Sequence, residues 1–120
     1  MAKILLVEDD ADLSDTLKDW LECINYTVEA AYTGPVALSK MNADRYDVII
    51  LDWQLPDLLG VDVLRQYRLA GGQDKVVMLT GHRDVSTRQT GLDAGADDFL
   101  GKPFTLDQLS KKLEEILSRC

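Results

Sequence analysis

Five short apolar runs, each followed by a longer stretch with helical spacing, constrain this chain more than any other feature of its sequence. The plainest of them is Asp47-Val48-Ile49-Ile50-Leu51-Asp52, β-branched, unalternating and without a polar face. Such a run reads as a strand covered on both sides of a parallel sheet. It stops on a carboxylate, and Trp53 to Asp57 cannot continue a central strand, because Pro56 has no amide proton for a ladder. Asp52 is therefore expected at the carboxyl end of its strand, the edge along which open α/β sheets bind ligands.

The other segments fit the same plan. Lys3 to Val7 predicts a buried strand ending in Glu8-Asp9-Asp10. Ala11 to Ile24 carries Leu13, Leu17, Trp20, Leu21 and Ile24 along one helical stripe. Thr27 to Ala31 predicts a short strand, and Thr33-Gly34-Pro35 opens a helix through Met41. Gly60 to Arg68 places Val61, Leu64 and Tyr67 on one helix face and is stopped by Gly71-Gly72, after which Lys75 to Thr80 is a strand ending on a hydroxyl. Arg83 to Gly95 is the weakest helix: it contains Thr87, Thr90 and Gly91, with Val85 and Leu92 as its sizeable anchors, so low local stability is expected there. Asp97 to Leu100 predicts a brief strand, Gly101 to Phe104 a turn, and Thr105 to Ser118 a helix with Leu106, Leu109, Leu113, Ile116 and Leu117 inward. Strand and helix alternate five times without repeat or linker. This order predicts an α/β fold whose parallel sheet is covered on both faces through right-handed crossovers.

The 120 residues fit one domain, 1–120. A net charge of −8 argues against direct nucleic-acid binding, since phosphate backbones are held by clustered Lys and Arg. The apolar part of Met1 to Val7 is too short for a signal peptide or a membrane span, which points to a cytoplasmic protein with no membrane partner. Cys23 and Cys120 suit a reducing compartment, and no basic cluster near either in sequence suggests a reactive thiolate.

Side by side, the predicted strand ends deliver Asp9 and Asp10, then Asp52, then Thr80, then Lys102. Carboxylates gathered this closely repel unless a cation sits among them, and hard oxygen ligands with room for water suit Mg²⁺. A metal, a lysine and a threonine around one carboxylate make a place for a phosphoryl group, with Asp52 as nucleophile.

With these residues assembled, the chain resembles a response-regulator receiver domain of two-component signalling along its whole length. The matching pieces are Val7-Glu8-Asp9-Asp10, Leu51-Asp52 with Leu55-Pro56-Asp57 and Gly60, Leu79-Thr80-Gly81, Gly91 through Phe99, and Lys102-Pro103-Phe104. The resemblance implies a flavodoxin-like (βα)5 three-layer sandwich with strand order 2-1-3-4-5. It also implies that Asp52 accepts a phosphoryl group from a sensor histidine kinase or a phosphotransfer protein. Asp10, Asp52 and the backbone carbonyl of Gln54 would bind Mg²⁺ directly, Asp9 would act through water, and Thr80 and Lys102 would hold the phosphoryl oxygens. Thr80 and Phe99 would form the switch, and the Lys102-Pro103 peptide would be cis. The closest subfamily carries winged-helix DNA-binding outputs, for which a linker would begin near Arg119-Cys120. Its receivers form homodimers on phosphorylation, with Arg88, Asp97, Asp98, Lys112 and Arg119 as candidate ion-pair partners; Gln108 stands where the subfamily usually has Glu.

Two other readings fare worse. A phosphatase of the haloacid-dehalogenase type needs a second Asp two residues after the nucleophile, where this chain has Gln54. A flavin or nucleotide binder needs a glycine-rich phosphate loop, where this chain has Glu8-Asp9-Asp10. No enzyme activity beyond phosphotransfer and autodephosphorylation is therefore expected. Gln54 and His82 occupy positions that influence phosphoryl lifetime in receivers, His82 otherwise reading as an exposed loop imidazole. Trp53 is expected to cover the site, with its backbone amide proton reaching the phosphoryl group.

Overall fold

The structure, a computed structural model, describes residues 2–56, 59–81 and 85–118. Five strands alternate with five helices: β1 (Lys3–Val7), α1 (Ala11–Cys23), β2 (Thr27–Ala31), α2 (Gly34–Ala43), β3 (Val48–Asp52), α3 (Gly60–Leu69), β4 (Val76–Thr80), α4 (Val85–Ala94), β5 (Asp98–Gly101) and α5 (Leu106–Ser118). All neighbouring strands are parallel, and their order is β2-β1-β3-β4-β5. This is the flavodoxin-like order, with β1 and β3 side by side at the point where the winding reverses.

Every residue of β3 and β4 is buried, as the unalternating runs require. The period of two sorts their side chains between two cores. Leu5, Val7, Ile49, Leu51, Val76, Met78 and Phe99 face α2, α3 and α4, where they meet Met41, Leu64, Tyr67 and Ala94. Ile4, Leu6, Val48, Ile50, Val77 and Leu79 face α1 and α5 and meet Leu17, Leu21, Leu109, Leu113 and Ile116. The sheet is thus the middle of three layers.

Two anchors assigned to helices from spacing prove to be exposed. Ile24 caps α1 and is 39% exposed, and Leu92 of α4 is 47% exposed. Among the described residues of α4 the buried ones are Gly91 and Ala94, so small size there lets the helix approach the sheet. The Val85 side chain, the other expected anchor, lies outside the described residues.

Candidate functional site

The carboxyl ends of β1, β3, β4 and β5 open into a cavity of about 470 Å³ lined by Glu8, Asp9, Asp10, Asp52, Trp53, Gln54, Thr80, Gly81 and Lys102. Asp52 is 5% exposed at its floor, and Thr80 is 3% exposed. The Lys102 ammonium lies 3.1 Å from an oxygen of Asp52 and 3.2 Å from one of Glu8. Main-chain pairing sets these positions: Asp52 stands opposite Leu79, Thr80 opposite Gly101, and the Lys102 amide donates to the Thr80 carbonyl at 2.7 Å. The Lys102–Pro103 peptide is cis.

Glu8 is the residue that strand-end counting passed over. Val7 pairs with Leu51, so the next step along both strands brings Glu8 beside Asp52 on the same side of the sheet. Oxygens of Glu8, Asp9 and Asp52 lie within 4.8 Å of one another, a group that could hold a metal ion. Asp10, expected as a direct ligand, lines the cavity and also has a structural task. It is the N-cap of α1, and its Oδ1 accepts from the Asp12 and Leu13 amides at 3.1 and 3.2 Å. A carboxylate immediately before a helix satisfies amides that have no intrahelical partner, and it faces the positive end of the helix dipole. Asp10 thus lines the cavity while capping α1, and the carboxylates whose oxygens gather with Asp52 are those of Glu8 and Asp9. The signal for this was in the sequence, since a run of three acids followed by a helical stripe assigns its last member to the cap.

The electrostatics follow from burial. The Glu8 carboxyl is pushed up to about 7, chiefly because burial disfavours its charge and also because Asp52 is a second acid at hydrogen-bond range; Lys102 acts in the opposite direction. Burial would lower the Lys102 ammonium, but the charges of Asp52 and Glu8 outweigh it and hold the lysine above its ordinary range. The cavity is thus acid-rich beyond what one lysine neutralises. Oxygen ligands of this kind, with space for water beside them, suit Mg²⁺.

The floor is closed by a tight approach of α3. A Cβ at Gly60 would lie 2.0 Å from the Asp52 carbonyl oxygen, so a larger residue could not begin that helix here. The Trp53 amide, expected to face the cavity, instead donates to the Leu79 carbonyl at 2.8 Å within the sheet. The amide turned toward Asp52 is that of Gln54, 3.4 Å from Oδ1. Phe99 is 6% exposed, and a Cβ at Gly91 would be 2.6 Å from its ring. Asp57, His82, Arg83, Arg119 and Cys120 lie outside the described residues.

A family model described as the response regulator receiver domain matches residues 4–114. The chain belongs to the response-regulator receiver family. The response regulator MprA of Mycobacterium ulcerans is 42% identical over 98% of this receiver and 50% of the relative, and MprA of Mycobacterium tuberculosis H37Rv is 41% identical over 98% and 51%. The chain thus spans about half the length of these relatives. Among solved structures, the receiver domain of the Francisella response regulator 1452 superposes with a TM-score of 0.93 at 30% identity, covering 99% of this chain and 98% of that one. The non-phosphorylated HemR receiver domain of Leptospira biflexa gives 0.92 at 34% identity, over 100% and 97%. This receiver is a two-component signalling module. Among the described residues, no helix is long and apolar enough to cross a membrane.

Proposed function

We propose that residues 1–120 act as one receiver that takes a phosphoryl group onto Asp52 from a phosphohistidine of a sensor kinase or phosphotransfer protein in the cytoplasm. A carboxylate oxygen of Asp52 forms the new P–O bond, the donor's P–N bond breaks, and its imidazole leaves. The observation that carries this reading is the Lys102 ammonium held 3.1 Å from the buried Asp52 carboxylate at the head of an acidic cavity. Asp9 and Asp52 are assigned as direct Mg²⁺ ligands with the backbone carbonyl of Gln54, Asp9 in the direct position first given to Asp10 and Glu8 in the water-mediated position first given to Asp9. Bound Mg²⁺ would neutralise charge on the phosphoryl oxygens. Lys102 adds a fixed positive charge, and Thr80 supplies a hydroxyl from the end of β4.

Phosphorylation adds nearly two negative charges beside Thr80 and Lys102. Drawing Thr80 toward them biases the packing of Phe99 and α4, so the face made by α4, β5 and α5 reports the state. Self-pairing through that face is the weaker output reading. Asp97 already meets Arg68 at 3.2 Å, Asp98 meets Lys112 at 3.2 Å, and Arg88 lies over the Phe99 ring at 5.2 Å. Gln108 exchanges hydrogen bonds with Thr105 at the start of α5. The net charge favours a protein partner over nucleic acid for this domain.

The deciding experiment is labelling with a radioactive small-molecule phosphodonor and Mg²⁺. The parent receiver takes an acid-stable, base-labile label, whereas Asp52→Asn takes none. Undiminished labelling of that variant overturns the assignment.

A further inference from the structure

Arg68, near the end of α3, makes a set of bonds that the phosphoryl site does not require. Its Nε and one Nη donate to the Gly95 carbonyl at 3.2 and 2.8 Å, and its other Nη donates to the Asp74 and Gly72 carbonyls at 2.7 and 3.1 Å. The Asp97 carboxylate lies 3.2 Å away and also accepts from the Val76 amide at 2.8 Å. One guanidinium therefore ties the chain just beyond α4 to the connection between α3 and β4. Arginine suits the task because its donors form a rigid, permanently charged fork, which lysine lacks.

The end of α4 is shaped to receive this clamp. Gly95 has a φ of +109°, and the Ala96 and Gly95 amides donate to the Gly91 and Leu92 carbonyls, each at 3.0 Å. This is the paired closing pattern of a Schellman turn. A Cβ at residue 95 would lie 2.9 Å from Arg68 Cγ, so the arginine stem rests directly on the glycine. The next amide, Asp97, donates to the Val76 carbonyl at 2.9 Å.

The preceding turns are held differently. Among the described residues Gly91 and Ala94 are buried, Leu92 is turned to solvent, Arg88 lies over the Phe99 ring, and side-chain hydrogen bonds of Gln89 and Thr90 run within the helix, to Asp93 and to the Ser86 carbonyl. At the middle, Gly91 meets the rings of Phe99 and Trp53. Rings can slide or turn at modest cost, whereas withdrawing Arg68 strands several part-buried acceptors at once.

We infer that Arg68 hinges α4 at its C-terminal end, so that the helix responds by swinging its earlier turns about Gly95 rather than by moving as a whole. The hinge stands on the geometry alone; phosphorylation as the cause of the swing rests on the function proposed above.

NMR-detected hydrogen exchange on the metal-free chain tests the hinge first. Corrected for intrinsic rates, Gly95, Ala96 and Asp97 exchange at least about tenfold more slowly than Gln89 to Leu92. Equal protection at both ends overturns the hinge. Arg68→Ala accelerates Gly95 to Asp97 by about tenfold while Leu5 and Leu6 of β1 keep their rates; a uniform acceleration of all these amides overturns it. Should that variant fail to fold, Arg68→Lys is judged by the same two criteria. Mg²⁺ with beryllofluoride then shifts the resonances of Gln89 to Leu92 more than those of Gly95 to Asp97. Equal shifts at both ends overturn the swing, whereas no shift anywhere, with the exchange gradient intact, overturns Asp52 as acceptor and leaves the hinge standing.

Discussion

The helices α4 and α5 flank β5 on opposite faces of the sheet and are held there by different means. On α5, Leu109, Leu113 and Ile116 are fully buried, and Thr105 and Gln108 close its first turn by exchanging hydrogen bonds. On α4, the buried residues among those described are Gly91 and Ala94, and a guanidinium fastens the chain beyond its last turn. Apolar burial stabilises in proportion to area, so α5 belongs to the framework that positions Lys102. Small residues bury little, so apolar burial holds the described residues of α4 less than it holds α5. A signalling module needs both, because a site built on rigid strand ends must be read through something that moves.

Substitutions can break this contrast, and Leu113→Ala on α5 should have the largest effect. A fully buried leucine costs about 2–5 kcal/mol on truncation, measured by urea unfolding, and a loss below about 1 kcal/mol would deny α5 its framework role. Glu8 gives a test of the framework's polar edge through pH. Its folded carboxyl is raised to about 7, so its favourable contribution is complete below about 4.5, where both states are protonated. As pH rises from there to about 7 the unfolded chain releases its proton first, and stability falls by up to about 3 kcal/mol in the metal-free protein. Glu8→Gln removes that slope, and Mg²⁺ flattens it in the parent; parallel pH profiles for the two proteins would show that Glu8 ionises as an ordinary acid.

On the other side of β5, Gly91→Ala puts a methyl group where the Phe99 ring lies 2.6 Å away. The expected cost is about 1–3 kcal/mol, together with a change in Trp53 emission as the rings repack. Unaltered stability and emission would mean that α4 shifts without resistance. Leu92→Ala should change stability least, by no more than about 0.5 kcal/mol, because that side chain faces solvent. A cost similar to that of Leu113→Ala would erase the contrast between the helices.

Much of this is legible in the sequence. Unalternating runs ending in Asp52 and Thr80 gave buried strands and the edge on which they finish, because backbone pairing leaves such runs few other places to go. Lys102 and Pro103 followed from the turn after the last strand. Other features depended on partners distant in the chain. Spacing gave Leu92 to the core, but the side of α4 that faces the sheet is chosen by how closely it can approach, and this favours Gly91 and Ala94.

The sequence by itself determined the alternation of elements, the sheet, and a carboxylate at the mouth of a cleft, since these follow from local periodicity and from proline and glycine at set positions. Tertiary structure decided which acid stands beside Asp52 in that cleft. The pairing of Val7 with Leu51 carries Glu8 to Asp52, and the first turn of α1 takes Asp10 for its cap. Register and capping are competitions among neighbouring groups, and they are settled only when the strands and helices meet. The same holds for Arg68, which appears in sequence as one more charge near a helix end. Folding brings carbonyls from two separate connections around its guanidinium.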